Sequence, residues 1–234
     1  MVNPSQPVII LGGFLITDEA YQPLVDWLRV ERGIDASVVH ASRTDWLLTS
    51  WDLGWRRLLQ RTEALVLQVM QDSGSDQVTL IGHSSGGVML RLYLADHGLE
   101  GASLNGQRHC DRLISLGSPH QAVRATPLRA MVERLLPGCA CSNVDYVSVA
   151  GRLDLASPMA SNFARRSAAR SYRQIAGAGD VSGDGLVPVS SALLSGSRPI
   201  ELAETAHGGF FGSTWYGSIE RIEQWWEQTI SPKP

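Results

Sequence analysis

Ser84 stands at the centre of GHSSG (82–86), a pentapeptide that fits the pattern G-x-S-x-G. The preceding VTLI is typical of a buried strand, and the following VMLRLYLA is typical of a buried helix. A serine on a sharp strand-to-helix turn is held in a strained backbone conformation, so the residues two before and two after it must be small. Gly82 and Gly86 meet this requirement, and we predict that Ser84 is a nucleophile. The alternative is a glycine-rich turn that does no chemistry.

A serine hydroxyl is a weak nucleophile and needs a neighbouring base. His207, in ELAETAHGGF, follows the last strand-like run and fits the chain order Ser, Asp, His, so it is the predicted base. His120, in LGSPH, is the second choice. His83 adjoins the serine in sequence, but a residue beside the apex of such a turn points away from it.

The base in turn needs a carboxylate that orients its ring. Asp184, in SGDGLVPVSSA, lies between the serine and the histidine in the chain, and its two neighbouring glycines allow a tight turn. A carboxylate held by such a loop can accept the imidazole Nδ1–H and stabilise the imidazolium. We therefore predict Asp184 as the acid, with Asp180 as the alternative.

Strand-like and helix-like segments alternate along the chain and must position these residues. Short apolar or β-branched runs, typical of strands, are Pro7–Leu11, Ala36–His40, Gln77–Ile81, Arg112–Leu116, Val144–Ala150 and Arg198–Leu202. Helical spacing of apolar residues marks Asp18–Val30, Leu53–Met70, Val88–Leu94 and Gly217–Thr229. The alternation predicts an α/β fold, with a parallel sheet covered by helices on both faces and a site beyond the carboxyl ends of the strands.

The turn at Ser84, the GDGLVP around Asp184 and the late His207 together resemble an α/β-hydrolase of the lipase and esterase kind. More narrowly, LGGFLITDEAY, GHSSGG, GDVSGDGLVP and WYGS resemble small α/β-hydrolases of cyanobacteria and plastids, similar to inositol-deacylase-like lipases. The resemblance covers nearly the whole chain. It implies a mostly parallel six-stranded sheet without the leading hairpin, and an enzyme that needs neither a cofactor nor a metal.

The resemblance also implies two backbone donors for an oxyanion. One is the N–H of Ser85, at the start of the helix that follows the nucleophile. The other lies in the loop ILGGFLIT after the first strand, where the N–H of Phe14 is the first choice and that of Leu15 the second. Gly12 replaces the histidine that is usual in this loop, so the chain departs from the family pattern here.

Composition restricts the class of protein. The 234 residues, of which 44% are hydrophobic, are enough for one sizeable core, so we predict a single domain spanning 1–234. A formal charge of −3 gives no field that favours nucleic acid. The first strand-like run begins seven residues in, which leaves no room for a signal peptide, and we predict a cytoplasmic protein.

The substrate class is predicted from two apolar segments. The stretch 118–143 carries an apolar stripe at helical spacing, which fits a lid over an acyl pocket or an extra helix packed on the core. Trp46, Trp51 and Trp55 could line the pocket, contact a membrane surface peripherally or pack in the core. Arg166, Arg170 and Arg173 fit a solvated helix face, with an anionic headgroup site as the alternative.

The sequence therefore supports a serine hydrolase of carboxylic esters with an apolar, lipid-like acyl chain, acting through an acyl-enzyme. Two alternatives remain open. A thioesterase or an acyltransferase would use the same residues. A binding protein could use the same fold without turnover.

Overall fold

A computed structural model describes residues 6–49, 51–95 and 104–230. The strands that it contains there form one parallel sheet in the order β2-β1-β3-β4-β5-β6. Their bounds are β1 Val8–Leu11, β2 Ala36–Val38, β3 Val78–His83, β4 Cys110–Leu116, β5 Asp145–Arg152 and β6 Arg198–Ala203. The predicted six-stranded parallel sheet is confirmed.

Helices cover both faces of this sheet. In the described ranges they are α1 Gln22–Arg32, α2 Arg43–Leu48, α3 Asp52–Ser73, α4 Ser85–Leu94, α5 Pro127–Leu135, α6 Asn162–Ala176, α7 Val189–Ala192 and α8 Ile219–Ile230. Short 3-10 helices at Asp18–Tyr21 and Gly106–Arg108 precede α1 and β4. None of the helices within these ranges is long and apolar enough to cross a membrane.

The sheet is buried on both sides because successive residues of a strand point to opposite faces. In β1, Val8 and Ile10 pack in one apolar cluster with α1 and α8, whereas Ile9 and Leu11 pack in a second cluster with α3 and α4. All four residues are fully buried. The sheet therefore forms a rigid layer between two cores, and its carboxyl-terminal edge is a firm platform for loops.

The long segments after β4 and β5 contain α5 and α6. Helix α5 packs on the second cluster through the buried Val132 and Leu136, so this part of the apolar stripe in 118–143 belongs to the core. Trp46 and Trp55 are also buried in that cluster, whereas Trp51 is exposed. The arginine face of α6 is exposed at Arg166, Arg170 and Arg173.

Candidate active site

Ser84 lies between the end of β3 and the start of α4, at the carboxyl-terminal edge of the sheet. Its φ of 54° and ψ of −124° are a strained combination for a residue with a Cβ. The turn needs glycine on both sides. A Cβ on Gly82 would lie 2.3 Å from the Cα of Gly87, and one on Gly86 would lie 2.2 Å from the carbonyl oxygen of Leu11. These close approaches explain the G-x-S-x-G spacing.

One chain of hydrogen bonds joins the three residues predicted to do chemistry. The Ser84 Oγ lies 2.9 Å from His207 Nε2, and His207 Nδ1 lies 2.8 Å from Asp184 Oδ2. The side chains come from three separate loops, at the ends of β3, after β5 and after β6. The three residues are at most 6% exposed, so water cannot easily compete for these bonds.

Asp184 accepts hydrogen bonds on both oxygens. Oδ2 accepts from His207 and from the Tyr216 hydroxyl at 2.9 Å, while Oδ1 accepts from the backbone N–H groups of Leu186 at 3.1 Å and Val187 at 2.7 Å. Burial and the adjacent carboxylate raise the pKa of Tyr216 well above its ordinary value, so its hydroxyl remains a donor. Because a carboxylate oxygen can only accept, Nδ1 of His207 donates to Asp184, and in the neutral ring this leaves Nε2 to accept from the Ser84 hydroxyl.

His83 belongs to a second series of hydrogen bonds, which reaches the backbone of His207. Burial, with a smaller contribution from His207, lowers the pKa of His83 well below its ordinary value, so the ring is neutral. Its Nε2 lies 2.8 Å from the His207 carbonyl oxygen and must donate to it, which leaves Nδ1 to accept from the Tyr21 hydroxyl at 2.8 Å. The Tyr21 oxygen accepts from the N–H of Gly13 at 2.8 Å. This chain links the loop after β1 to the loop that carries His207.

The N–H groups of Phe14 and Ser85 donate to no acceptor among the described residues. Ser85 is the first residue of α4, where a helix leaves its N–H groups without intrahelical partners. Gly13 is committed to Tyr21, and Leu15 adopts a φ of 61° in the same turn. Both Phe14 and Ser85 line the cavity that contains Ser84.

The second choices for base and acid, His120 and Asp180, make no hydrogen bond to Ser84 or His207 among the described residues. His120 is buried, and its Nε2 lies 3.0 Å from the hydroxyl of Ser115, on the neighbouring strand β4. Asp180 is exposed, and the carboxylate that contacts His207 is that of Asp184. The structure thus brings together the first choices for nucleophile, base and acid. Their catalytic roles stay predictions.

A cavity of about 490 Å³ opens beside Ser84. Its wall is mainly apolar, with residues from the loop after β1, from α2 to α6 and from the loop after Asp184. The described lining residues are Phe14, Trp46, Thr49, Trp55, Ser84, Ser85, Val88, Met89, Pro119, Thr126, Arg129, Ile175, Leu186 and Val187. Such a cavity can hold a small organic molecule with a reactive group next to the serine.

Four residues of this region escape the sequence argument. Tyr21, His83, Tyr216 and Arg129 lie far apart in the chain, and no spacing rule connects a tyrosine to a histidine 62 positions away. The motifs WYGS, LGGFLITDEAY and GHSSGG, which carry the family resemblance, contain Tyr216, Tyr21 and His83 and are the signals that the sequence offers for them. Arg129 lies inside the stripe predicted to be a lid or a core helix, and that pattern is defined by apolar residues alone.

Comparison with known proteins supports the fold. A family model described as the α/β-hydrolase fold matches residues 60–135, and no curated protein matches the chain. A gene product of Listeria innocua is 17% identical, with a TM-score of 0.59 over 98% of this chain and 96% of its own.

Two further solved structures are similar at lower identity. An α/β-hydrolase from a sediment metagenome of the Mar Chica lagoon, Morocco, is 12% identical, with a TM-score of 0.52 over 97% of this chain and 93% of its own. A 2-hydroxy-6-oxo-6-phenylhexa-2,4-dienoate hydrolase from Rhodococcus is 10% identical, with a TM-score of 0.52 over 97% and 90%. The narrower resemblance to cyanobacterial and plastid hydrolases stays a prediction. The sheet order, the strand-to-helix turn at Ser84 and these similarities show that the chain has the α/β-hydrolase fold.

Proposed function

We propose that this protein hydrolyses carboxylic esters through an acyl-enzyme on Ser84. The observation that carries the proposal is the hydrogen-bonded chain from Ser84 through His207 to Asp184, which opens onto a cavity. Serine hydrolases on unrelated folds use this same set of groups, so the geometry is a stronger argument than the fold.

In the first half-reaction the Ser84 Oγ attacks the ester carbonyl carbon, and His207 Nε2 takes the hydroxyl proton. The carbonyl π electrons move to the oxygen, which the N–H groups of Phe14 and Ser85 stabilise by hydrogen bonds. Asp184 stabilises the imidazolium that forms. When the carbonyl re-forms, the bond to the alcohol oxygen breaks, and the alcohol leaves with the proton from His207.

The second half-reaction repeats these steps with water. His207 removes a proton from a water molecule, whose oxygen attacks the acyl carbon of the Ser84 ester. The tetrahedral intermediate collapses, the bond between the acyl carbon and Oγ breaks, and Oγ recovers the proton. The products are a carboxylic acid and the free enzyme. A thioester would follow the same course, and an alcohol in place of water would give acyl transfer.

The apolar wall of the cavity supports an acyl chain as the substrate's main recognition element. Each buried methylene contributes up to about 0.8 kcal/mol. Exposed apolar residues such as Phe14, Leu47 and Trp51 lie in the segments around this cavity and offer a surface for peripheral contact with a lipid aggregate. Any opening movement of the segment 118–143 would have to free Val132 and Leu136 from the core, so its role as a lid stays a prediction.

The test is kcat/KM over nitrophenyl esters from acetyl to palmitoyl. We expect it to rise with chain length to an optimum at eight carbons or beyond, because each added methylene is buried in the cavity. Ser84→Ala and His207→Ala are the matched controls for reaction at this site. A maximum at acetyl would contradict the apolar acyl site, and full activity in Ser84→Ala would contradict the mechanism. Absence of turnover with every ester would favour a binding protein.

A further inference from the structure

Arg129 stands out among the residues that line the cavity. It lies in the first turn of α5, where its backbone N–H donates at 3.3 Å to the hydroxyl of Thr126, the N-cap residue of the helix. The residue is half-buried and shares the cavity wall with Ser84. Among the described residues that line the cavity, it is the single charged one.

The guanidinium of Arg129 has no hydrogen bond or ion pair with any described residue. Desolvation by burial lowers the pKa of Arg129, and no carboxylate of the described residues forms an ion pair with it. Arg91 provides the contrast. It is deeply buried, but it donates to the Leu136 carbonyl and lies 3.8 Å from the Glu133 carboxylate. Arg91 thus has a backbone acceptor and a nearby carboxylate, whereas the Arg129 guanidinium has neither among the described residues.

A partly desolvated cation without a partner costs free energy in the unliganded protein. That cost is recovered when an anion enters the cavity and pairs with it. Guanidinium presents several N–H donors in one plane, which match the two oxygens of a carboxylate or of a phosphate. Since Arg129 and Ser84 line one cavity, the anion and the ester would belong to the same molecule.

We propose that Arg129 binds an anionic group, a carboxylate or a phosphate, on the substrate, and that the enzyme acts on esters carrying such a group. This inference rests on the proposed function. The apolar wall of the same cavity would hold the hydrocarbon part. Arg129 is therefore a specificity-determining residue that discriminates between charged and neutral esters.

The experiment compares pairs of nitrophenyl esters that differ only in the far end of the acyl chain. One member ends in a methyl group, the other in a carboxylate, and chain length varies because the best spacing must match the cavity. At the best length we expect the carboxylate to raise kcat/KM about tenfold to a hundredfold, which is the effect of one charge-assisted hydrogen-bonded pair. Arg129→Gln should abolish this ratio, and Arg129→Lys should keep part of it. Arg134→Gln, an exposed arginine on the same helix, should leave the ratio unchanged.

The second arm identifies the source of the anion. Acyl glycerol phosphate is compared with the matching neutral acyl glycerol in the same variants. A preference for the phosphate ester that depends on Arg129 assigns the site to a phosphate-bearing lipid, and a preference confined to the dicarboxylic half-esters assigns it to a carboxylate. An equal ratio in the wild type and Arg129→Gln for both series would overturn the proposal.

A binding measurement separates this inference from the proposed function. Titration calorimetry on Ser84→Ala, with a dicarboxylic monomethyl ester as the probe, reports anion binding without turnover. We expect Ser84→Ala combined with Arg129→Gln to bind the probe about tenfold to a hundredfold more weakly. Binding that depends on Arg129 in a protein that hydrolyses no ester would refute the ester hydrolase and keep the anion site. Ester turnover through Ser84 with no effect of Arg129 on the probe would refute the anion site alone.

Discussion

Two charged groups of the active-site region, Asp184 and Arg129, have opposite surroundings. Asp184 is fully buried and receives hydrogen bonds from two side chains and two backbone N–H groups. Arg129, which lines the cavity beside Ser84, is half-buried and has no partner among the described residues. A group that must hold a fixed geometry receives its hydrogen bonds from the protein itself. A group that must recognise a ligand is left with its donors available.

Asp45 is a third charged group, and it shows two arginines of this chain paired with a buried carboxylate. Asp45 completes the capping box of α2 by accepting from the backbone N–H of Ser42. It also accepts from Arg61 at 2.7 Å, and Arg57 lies 3.8 Å away. Burial alone would raise the pKa of the Asp45 carboxyl, but the hydrogen bonds from Arg61 and Ser42 outweigh it and lower the pKa to about 2. Within the described ranges Arg129 therefore differs from Arg57 and Arg61, each of which has a carboxylate partner.

The largest effect on activity should come from a substitution at Asp184, whose hydrogen bonds are all supplied by the protein. Asp184→Asn removes the carboxylate that fixes the His207 tautomer, so we expect kcat to fall about 10⁴-fold while the protein stays folded. Asp180→Asn, at the exposed neighbouring carboxylate, is the control and should keep wild-type activity. Steady-state kinetics on the best nitrophenyl ester, with thermal unfolding of each variant, measures both. A dead Asp180→Asn beside an active Asp184→Asn would move the acid to Asp180.

A smaller effect should follow from removing one donor to Asp184. Tyr216→Phe deletes the hydroxyl that donates to Oδ2 and to which the N–H of Gly151 donates at 2.6 Å. The loss of one hydrogen bond is typically about 1 kcal/mol, so we expect kcat to fall about fivefold to tenfold, with KM unchanged. Tyr172→Phe is the control, because its hydroxyl accepts from Gly185 and makes no hydrogen bond to the carboxylate. Equal losses in both variants would indicate a general structural effect.

The pairing of Asp45 with Arg57 and Arg61 can be tested through the pH dependence of stability. Its pKa in the folded protein is below the ordinary value of 3.8, so its contribution to stability is present above about pH 4 and is lost as pH falls towards 2. Asp45→Asn should remove this contribution, lowering the free energy of unfolding by about 1–3 kcal/mol at neutral pH. Urea unfolding between pH 7 and 3 measures both. Parallel pH profiles of the wild type and Asp45→Asn would contradict the assignment.

The smallest effect should be that of Arg129 on stability. Since its guanidinium has no partner in the described structure, Arg129→Gln removes a desolvation cost and no interaction, and we expect the free energy of unfolding to change by less than about 0.5 kcal/mol or to increase. Urea unfolding at pH 7 is the measurement. A loss of 2 kcal/mol or more would reveal a structural role and weaken the contrast with Asp184.

The sheet was predictable from the sequence because its six strands are short apolar runs separated by helical segments. The strand-to-helix turn at Ser84 was equally predictable, because close backbone approaches demand glycine at 82 and 86. Helix α2 was not predicted, although Ser42 and Asp45 form the capping box that marks its start. The apolar pattern of that helix is dominated by tryptophan and leucine, which suit a pocket as well as a helix.

The residues that hydrogen-bond to the triad or its loops were less predictable from the sequence. The positions of His207 and Asp184 follow from chain order, but Tyr21, His83 and Tyr216 contribute through contacts across 32 to 124 positions. Local patterns carry no information on such pairs. Arg129 was missed for another reason. A charge on an amphipathic helix is normally solvated, and only the three-dimensional cavity shows that Arg129 is partly desolvated.

The most direct test of a nucleophilic Ser84 is covalent labelling with a fluorophosphonate probe. Attack of the Ser84 oxygen on phosphorus expels fluoride, and the His207 base and the oxyanion donors that serve ester hydrolysis accelerate the step. Tryptic digestion and mass spectrometry should place one label on the peptide of residues 62–91, with fragmentation assigning it to Ser84. Labelling should vanish in Ser84→Ala and become far slower in His207→Ala. A folded wild-type protein that takes no label, or takes it at another residue, would contradict the account.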